Sequence, residues 1–286
     1  MLNFSEKQMG IITISRTHGS GGTGFAEELA KRLDYTFVNR TLINNDCQVS
    51  KGHACVFGPT DEESPSFLER LQELKSNRNF FKISLIANIY DYALRNNVVL
   101  VGMGAVIILS GINNILNIRV ARLLSERVKA IAQVKGIPYD DAFDLVEGMD
   151  EEKKDFVSHY FDMDVDDMAL YHLTINLSYI GLDDALNMVS DYAKKHLTLT
   201  HPVETEQLLK NRLLEKRAEI LLFRLGMVHS YGKVTFEAAD DGILTVKGVL
   251  GGKHEKETLF ESLNKNKEIT KIEDHVKVGI LSDMVY

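Results

Sequence analysis

The hydrophobic pattern changes near residue 200, and the two sides of that point predict different architectures. Between Met9 and about His196, short runs rich in β-branched residues alternate with longer stretches of helical periodicity. Residues 11–14 and 98–101 are uninterrupted apolar runs, which is typical of strands covered on both faces of a parallel sheet. The first part of the chain is therefore predicted to be α/β with a mainly parallel sheet.

Further elements follow from the same periodicities. Strands are predicted at residues 35–38 and 117–121, and helices at 25–33, 67–74, 83–94, 123–131, 140–146 and 182–192. Residues 197–202 are predicted to be a connector. We therefore expect two domains, comprising residues 1–198 and 203–286.

Beyond the connector, the pattern predicts a helix, two strands, a helix and a last strand. The helices cover residues 204–225 and 255–263, and the strands cover 234–236, 243–246 and 272–278. The first two strands flank Asp240-Asp241-Gly242, which is a strong hairpin signal. This order, in about 80 residues, predicts a small α+β domain.

Composition limits the classes of function. The chain has 286 residues, 44% of them apolar, and a formal net charge of −8. This apolar fraction suits a packed globule, and the acidic balance argues against nucleic acid as a partner. No secretory signal or transmembrane segment is evident, since the longest apolar stretch, residues 98–109, is too short to span a bilayer as a helix. We therefore expect a cytoplasmic protein.

Metal binding is not predicted. Cys47, His53 and Cys55 lie close together in the sequence, but a structural zinc site needs four ligands at a recognised spacing. Two cysteines also cannot build a disulfide framework.

The segment that carries chemistry is the loop Ser-Arg-Thr-His-Gly-Ser-Gly-Gly-Thr-Gly at residues 15–24, between the first strand and the first helix. Glycines allow the backbone to turn tightly and to present N–H groups at a helix N-terminus, where they can hold a phosphate. The sequence therefore predicts a phosphate or nucleotide cradle, formed by Gly19, Ser20, Gly21, Gly22, Thr23 and Gly24.

The spacing of these glycines does not settle the nucleotide class. Gly19, Gly21 and Gly24 satisfy the G-x-G-x-x-G pattern of dinucleotide-binding folds, but the second predicted strand ends in Asn39 and Arg40 rather than in an acid. The ordinary phosphate loop, G-x-x-x-x-G-K-[ST], also fails because no lysine follows the glycines.

Several segments, taken in order, resemble the cytidylate kinase-like family, a divergent branch of P-loop nucleoside monophosphate kinases. They are residues 12–16 with 19–22, 99–105, 125–128, 140–153 and 171–178. The resemblance implies a P-loop NTPase-like, three-layer α/β/α fold. It also implies binding of ATP with Mg²⁺ and phosphoryl transfer to a nucleoside monophosphate such as CMP or to a related small acceptor.

The same resemblance implies the roles of individual side chains. Among the candidate catalytic residues, Arg16 would hold the donor phosphates together with the loop amides, and Arg127 and Lys153 would close over the transferred phosphoryl group. Asn39, Arg40 and Met103 would lie at the acceptor.

Set against cytidylate kinases proper, Gly22 falls where the phosphate-binding lysine belongs, and Gly24 where the magnesium-binding hydroxyl belongs. The divergent branch is similar to this chain in lacking that lysine and in carrying an arginine early in the loop. The chain departs from the family pattern at other positions. Met103 replaces an arginine, Lys153 replaces a lid arginine, and Asn39 replaces an acid. Because phosphoryl transfer depends on cations that neutralise developing charge, a catalytically degenerate nucleotide sensor or scaffold is the alternative hypothesis.

The C-terminal part resembles a BON domain, on the segment 240–249 and on the order of its elements. That resemblance implies a protein or lipid partner. In the alternative hypothesis, the C-terminal part would report nucleotide occupancy.

Overall fold

A computed structural model of the protein describes residues 10–43, 78–197 and 202–279. The strands are β1 (Ile11–Arg16), β2 (Thr36–Val38), β3 (Val98–Val101), β4 (Ile115–Ala121), β5 (Leu173–Asn176), β6 (Val234–Ala239), β7 (Ile243–Leu250) and β8 (Lys271–Val278). The helices are α1 (Gly22–Leu33), α2 (Arg78–Leu94), α3 (Ala105–Ile108), α4 (Leu124–Lys135), α5 (Tyr139–Phe161), α6 (Leu182–His196), α7 (Pro202–Arg224) and α8 (Lys253–Asn264).

The first five strands form one parallel sheet in the order β2-β3-β1-β4-β5. β3 therefore separates β1 from β2, whereas the dinucleotide-binding fold has its second strand beside the first. The predicted P-loop NTPase-like, three-layer α/β/α class is confirmed. The dinucleotide interpretation, which rested only on glycine spacing, disagrees with this strand order.

The core of this sheet is built from the apolar runs that the sequence shows. All four residues of β3 are buried, and so are the first five residues of β1. Helices α1 and α6 pack against the sheet through Phe25, Leu29 and Leu186, none of which is exposed. Because the strands are parallel, their carboxyl ends share one edge, where the loops after β1 and β3 meet.

The C-terminal sheet has the order β6-β7-β8, in which β6 and β7 are antiparallel and β7 and β8 are parallel. The predicted order of helix, hairpin, helix and strand is confirmed, with the turn at Asp240–Gly242. Its core includes Leu222, Leu244, Val246 and Leu259, all of them fully buried.

The chain divides into two compact units. The described residues of Met1–Ser76 and Arg95–Thr205 form the first unit, and those of Asn77–Leu94 and Glu206–Tyr286 form the second, so α2 belongs to the second unit. The division predicted at residues 198–203 remains a prediction. Within the described residues, no helix is long and apolar enough to cross a bilayer.

Some predictions concern residues outside the described ranges. They are the cysteine pair at 47 and 55 with His53, the helix at 67–74 and most of the connector at 197–202.

Candidate active site

The glycine loop joins the carboxyl end of β1 to the start of α1, as the sequence predicts. Gly21 stands at the N-cap of α1 with a φ of 81°, in the left-handed region that an ordinary L-residue avoids. The Phe25 amide donates to the Gly21 carbonyl at 3.0 Å and so closes the first turn of the helix. The first turn of a helix leaves amides without intrahelical partners, and such amides favour a bound anion.

Arg16 crosses this loop and explains why Gly22 is a glycine. A Cβ at Gly22 would lie 2.5 Å from the Arg16 Cβ, so a side chain there would collide with the arginine. The Arg16 Nε donates to the Thr23 Oγ1 at 3.3 Å, and its guanidinium lies against Gly102 at the end of β3. A permanent positive charge therefore lies beside the loop, on a residue that precedes the glycines.

A buried ion pair fastens the loop to two helices. The Asp150 carboxylate of α5 accepts the His18 amide at 2.7 Å and pairs with the Arg127 Nη1 of α4 at 2.5 Å. The same Nη1 also donates to the His18 carbonyl at 2.9 Å. Only 9% of the Arg127 side chain is exposed. Breaking such a pair costs about 3–5 kcal/mol because it leaves an uncompensated charge, so Arg127 and Asp150 hold this part of the loop in place.

Lys153 lies one turn further along α5 and donates from its Nζ to the Arg16 carbonyl. Burial of its ammonium group, followed by the nearby Arg16 guanidinium, lowers its pKa from 10.5 to about 7, although Asp150 opposes the effect. Its charge therefore depends on pH near neutrality, unlike the charge of an arginine at the same place.

The segment after β3 forms the facing wall. Gly102, Met103 and Gly104 all have positive φ, and Met103 at 55° is an uncommon conformation for a residue with a side chain. A Cβ at Gly104 would lie 2.6 Å from the Phe161 ring of α5, so the backbone approaches that helix closely.

These elements enclose a cavity of about 350 Å³, named here the glycine-loop cavity. Loop residues 16–23 line one side, with Arg40 and Lys153 as further basic groups, while Val101, Met103, Ile131, Met149 and Phe156 form an apolar wall. Glu152 also lines the cavity, and burial raises the pKa of its carboxyl group, as does the neighbouring Asp155. The cavity falls within the range of small-molecule sites.

The structure brings together most of the residues that the sequence proposes for the site. Arg16, Gly19, Ser20, Gly21, Gly22, Thr23, Arg40, Met103 and Lys153 all line the glycine-loop cavity.

Three proposed residues do not line the glycine-loop cavity. Gly24 lies exposed on α1. Asn39 accepts the Leu42 amide through its side chain at 2.9 Å and so caps the helical turn at residues 40–43. Arg127 is engaged in the ion pair with Asp150 instead.

The resemblance places the magnesium-binding position at Gly24, which remains a prediction, and a hydroxyl stands one residue earlier, at Thr23. In the ordinary phosphate loop the hydroxyl residue directly follows the lysine, and Thr23 directly follows Gly22. Thr23 lines the cavity, whereas Gly24 does not.

The acidic turn after α5 is held by cations. Asp166 pairs with Arg119 of β4 and, at 2.9 Å, with Lys154 of α5. The Asp164 carboxylate accepts the Asp166 amide at 2.8 Å. No group of three or more acids, histidines or cysteines placed to hold a metal ion occurs in the part of the chain that the structure describes.

Comparisons with known proteins agree with this geometry. A family model described as the cytidylate kinase-like family matches residues 11–179. A cytidylate kinase from Staphylothermus marinus is 28% identical, and the match covers 66% of this chain and 99% of that protein. A cytidylate kinase from Thermococcus kodakarensis is 26% identical, and the match covers 63% of this chain and 85% of that protein. A solved structure of an uncharacterized protein from Eubacterium ventriosum shares the fold, with a TM-score of 0.51, 22% identity, and coverage of 66% of this chain and 99% of that one.

Proposed function

Because the chain belongs to the cytidylate kinase-like family, we propose that it binds a nucleotide and transfers the γ-phosphate of ATP to a nucleoside monophosphate, such as CMP, or to a related small acceptor. The observation that carries this proposal is the position of Arg16 across the glycine loop. Its side chain occupies the space beside Gly22, where the ordinary loop has a lysine, and supplies the positive charge that the motif lacks.

In this proposal, the loop from Gly19 to Thr23 holds the donor phosphates. The amides at the start of α1 donate hydrogen bonds to the phosphate oxygens. The Arg16 guanidinium, fixed by Thr23 and by the approach to Gly102, adds a charge-assisted contact. Arg127 and Asp150 act as positioning residues, because they bond to the amide and carbonyl of His18, which lines the glycine-loop cavity, and do not line it themselves.

The residues present fit a magnesium–nucleotide complex at one point. The Thr23 hydroxyl lies at the loop position from which phosphate-loop proteins ligate Mg²⁺. When bound, Mg²⁺ supplies charge neutralisation on the transferred phosphates. The chain's own contribution is to orient the donor and to add the cations Arg16 and Lys153.

The acceptor is proposed to lie toward Met103, Arg40 and Lys153, on the side of the glycine-loop cavity away from α1. Lys153 can neutralise charge there only while it is protonated, and its lowered pKa makes that contribution sensitive to pH near neutrality. An anionic ligand would favour the charged form and so recruit this cation.

The alternative is a nucleotide sensor or scaffold without transfer, which would act through the C-terminal unit and a protein or lipid partner of a BON-like domain. The observation that favours it is the loss of cations, since Gly22 stands where cytidylate kinases proper carry a lysine and Met103 where the family usually has an arginine. Under either hypothesis we expect a cytoplasmic protein.

A single set of measurements separates these functions. Purified protein is incubated with ATP and Mg²⁺ against a panel of nucleoside monophosphates, and thermal shifts are recorded with ATP, CMP and NAD. Conversion of an added monophosphate other than AMP into its own diphosphate supports the kinase and removes the sensor, whereas ATP binding without such transfer supports the sensor. Stabilisation by NAD alone would contradict both. Arg16→Met is the expected inactive variant, and Arg32→Gln, on the exposed side of α1, is the matched control.

A further inference from the structure

A second cavity, with a volume of about 190 Å³, adjoins the glycine-loop cavity at the carboxyl ends of β1 and β4. Arg16, Thr17 and Lys153 line both cavities. The second one extends between α5 and the turn that follows it. Its volume is below the range of pockets that hold nucleotide-sized ligands, so it suits a single small ion.

The lining of the second cavity is strongly basic. Its charged side chains are five cations and two carboxylates, an excess of three positive charges when all are ionised: Arg16, Arg119, Arg127, Lys153 and Lys154 against Asp150 and Asp166. Each of the two carboxylates already has two partners. Asp150 pairs with Arg127 and accepts the His18 amide, and Asp166 pairs with Arg119 and with Lys154.

Burial of the cationic side chains strengthens their attraction for an anion. The Arg119 and Arg127 side chains are only 13% and 9% exposed, so water screens their charges poorly. Burial is the main cause of the lowered pKa of Lys153, and the charges of Arg16, Arg119 and Arg127 lower it further, which agrees with a positive local potential. Lys154, at 46% exposure, lies at the solvent side.

A hydroxyl group adds a hydrogen-bond donor to the cations that line the second cavity. The Thr17 Oγ1 is buried and has no hydrogen-bond partner among the described residues. An unsatisfied buried hydroxyl is costly, and a bound oxyanion that displaced the groups covering it would accept a hydrogen bond from it.

We propose that the second cavity binds one phosphate-sized oxyanion, held by Arg119, Lys154 and the Thr17 hydroxyl. The oxyanion could come from free inorganic phosphate or from the terminal phosphate of a nucleotide in the glycine-loop cavity, because the same groups would recognise both. The site does not depend on phosphoryl transfer, so a chain without transfer activity would still bind the ion.

The test is calorimetric titration of inorganic phosphate into the full chain, with and without a saturating non-hydrolysable ATP analogue, whose own affinity is also measured. Arg119→Met and Lys154→Gln are each expected to weaken binding at least about tenfold, since each removes a charged hydrogen-bond donor. Asp166→Asn is expected to strengthen binding, because it releases Arg119 and Lys154 from their shared carboxylate. Arg32→Gln should change nothing.

The two sources are distinguished by the analogue. Phosphate binding that persists beside the analogue indicates free phosphate as the ligand. Phosphate binding that the analogue abolishes indicates the terminal phosphate, and the analogue's affinity should then follow the same order among the variants. The proposal is overturned if phosphate and analogue both bind equally well to wild type, Arg119→Met, Lys154→Gln and Asp166→Asn, or if phosphate does not bind and the analogue's affinity is the same in all four. Because Asp166→Asn should act in the opposite direction, a loss of folding in one variant cannot imitate the expected pattern.

Discussion

Replacing Lys153 with methionine removes a buried charge from between the glycine loop and α5, and we expect the folded protein to become more stable below neutral pH. Burial and the Arg16 guanidinium lower the pKa of Lys153 from 10.5 to about 7. At about 1.36 kcal/mol for each pH unit, this corresponds to at most about 5 kcal/mol of lost stability. Methionine keeps much of the length of the side chain but forfeits the hydrogen bond to the Arg16 carbonyl, worth about 1 kcal/mol.

The direction of the pH dependence follows from the two protonation states. The unfolded chain keeps the Lys153 proton up to pH 10.5, while the folded chain releases it near pH 7, so the unfolded state binds more protons between these values. The destabilisation is complete below pH 7 and decreases as the pH rises. From pH 7 to pH 9, wild type should gain up to about 2.7 kcal/mol relative to Lys153→Met.

The assay is urea denaturation of both proteins at pH 6, 7, 8 and 9, followed by circular dichroism. Lys154→Met is the matched control, because the neighbouring Lys154 is exposed and its pKa is raised by Asp166, not lowered. The difference in the free energy of unfolding between Lys154→Met and wild type should stay constant from pH 6 to pH 9. A difference between wild type and Lys153→Met that does not change with pH would refute the account of Lys153 as a buried and readily deprotonated cation.

Three further predictions concern the loop and its surroundings. Asp150→Asn leaves a buried guanidinium without its carboxylate, so we expect unfolding to become easier by about 3 kcal/mol and ATP to bind more weakly in a thermal-shift titration. Gly22→Ala should abolish ATP stabilisation, because its Cβ would lie 2.5 Å from the Arg16 Cβ, whereas Gly24→Ala, with open space around it, should bind ATP normally. Met103→Arg should tighten the binding of nucleoside monophosphates, measured by calorimetry, by adding a cation to the wall of the glycine-loop cavity.

Each of these predictions has an outcome that would contradict it. Unchanged stability of Asp150→Asn would show that the ion pair does not hold the loop. Equal ATP binding by the alanine variants at residues 22 and 24 would remove the argument that Arg16 needs the space beside Gly22. Unchanged monophosphate binding by Met103→Arg would place the acceptor elsewhere.

The strands could be predicted from the sequence, because a short run of β-branched apolar residues rarely forms anything but a buried strand. The run at 98–101 coincides with β3. β4 begins two residues before the predicted strand, because Ile115 and Leu116 enter the sheet by pairing with Ile11 and Ile12, about 100 positions away. Local periodicity contains no information about that pairing or about the strand order.

Helix α5 is longer than its sequence pattern predicts. The sequence predicts a helix at 140–146, but α5 runs to Phe161. Residues 151–155 are all charged and interrupt the apolar repeat, and the buried face resumes only at Phe156, Val157 and Tyr160. An amphipathic pattern is difficult to see when one side of a helix faces a polar cavity instead of a core.

Within the candidate site, the glycines could be found because their spacing is local, while the ion pair behind them could not. Asp150 lies 132 positions from the His18 amide that it accepts. Only the fold shows that Arg127, which the resemblance placed on the transferred phosphoryl group, is engaged with Asp150. The role of Arg16 was proposed from the resemblance, but the collision that requires a glycine at 22 is visible only in three dimensions.

The central claim is that Arg16 and the glycine loop hold ATP for transfer, and the most direct measurement follows the γ-phosphate itself. The full chain is incubated with γ-labelled ATP, Mg²⁺ and CMP, and the products are separated. The account predicts labelled CDP with wild type and with Arg32→Gln, and none with Arg16→Met. The same amount of labelled CDP from Arg16→Met, or bound ATP that never yields a labelled acceptor across the monophosphate panel, would contradict it.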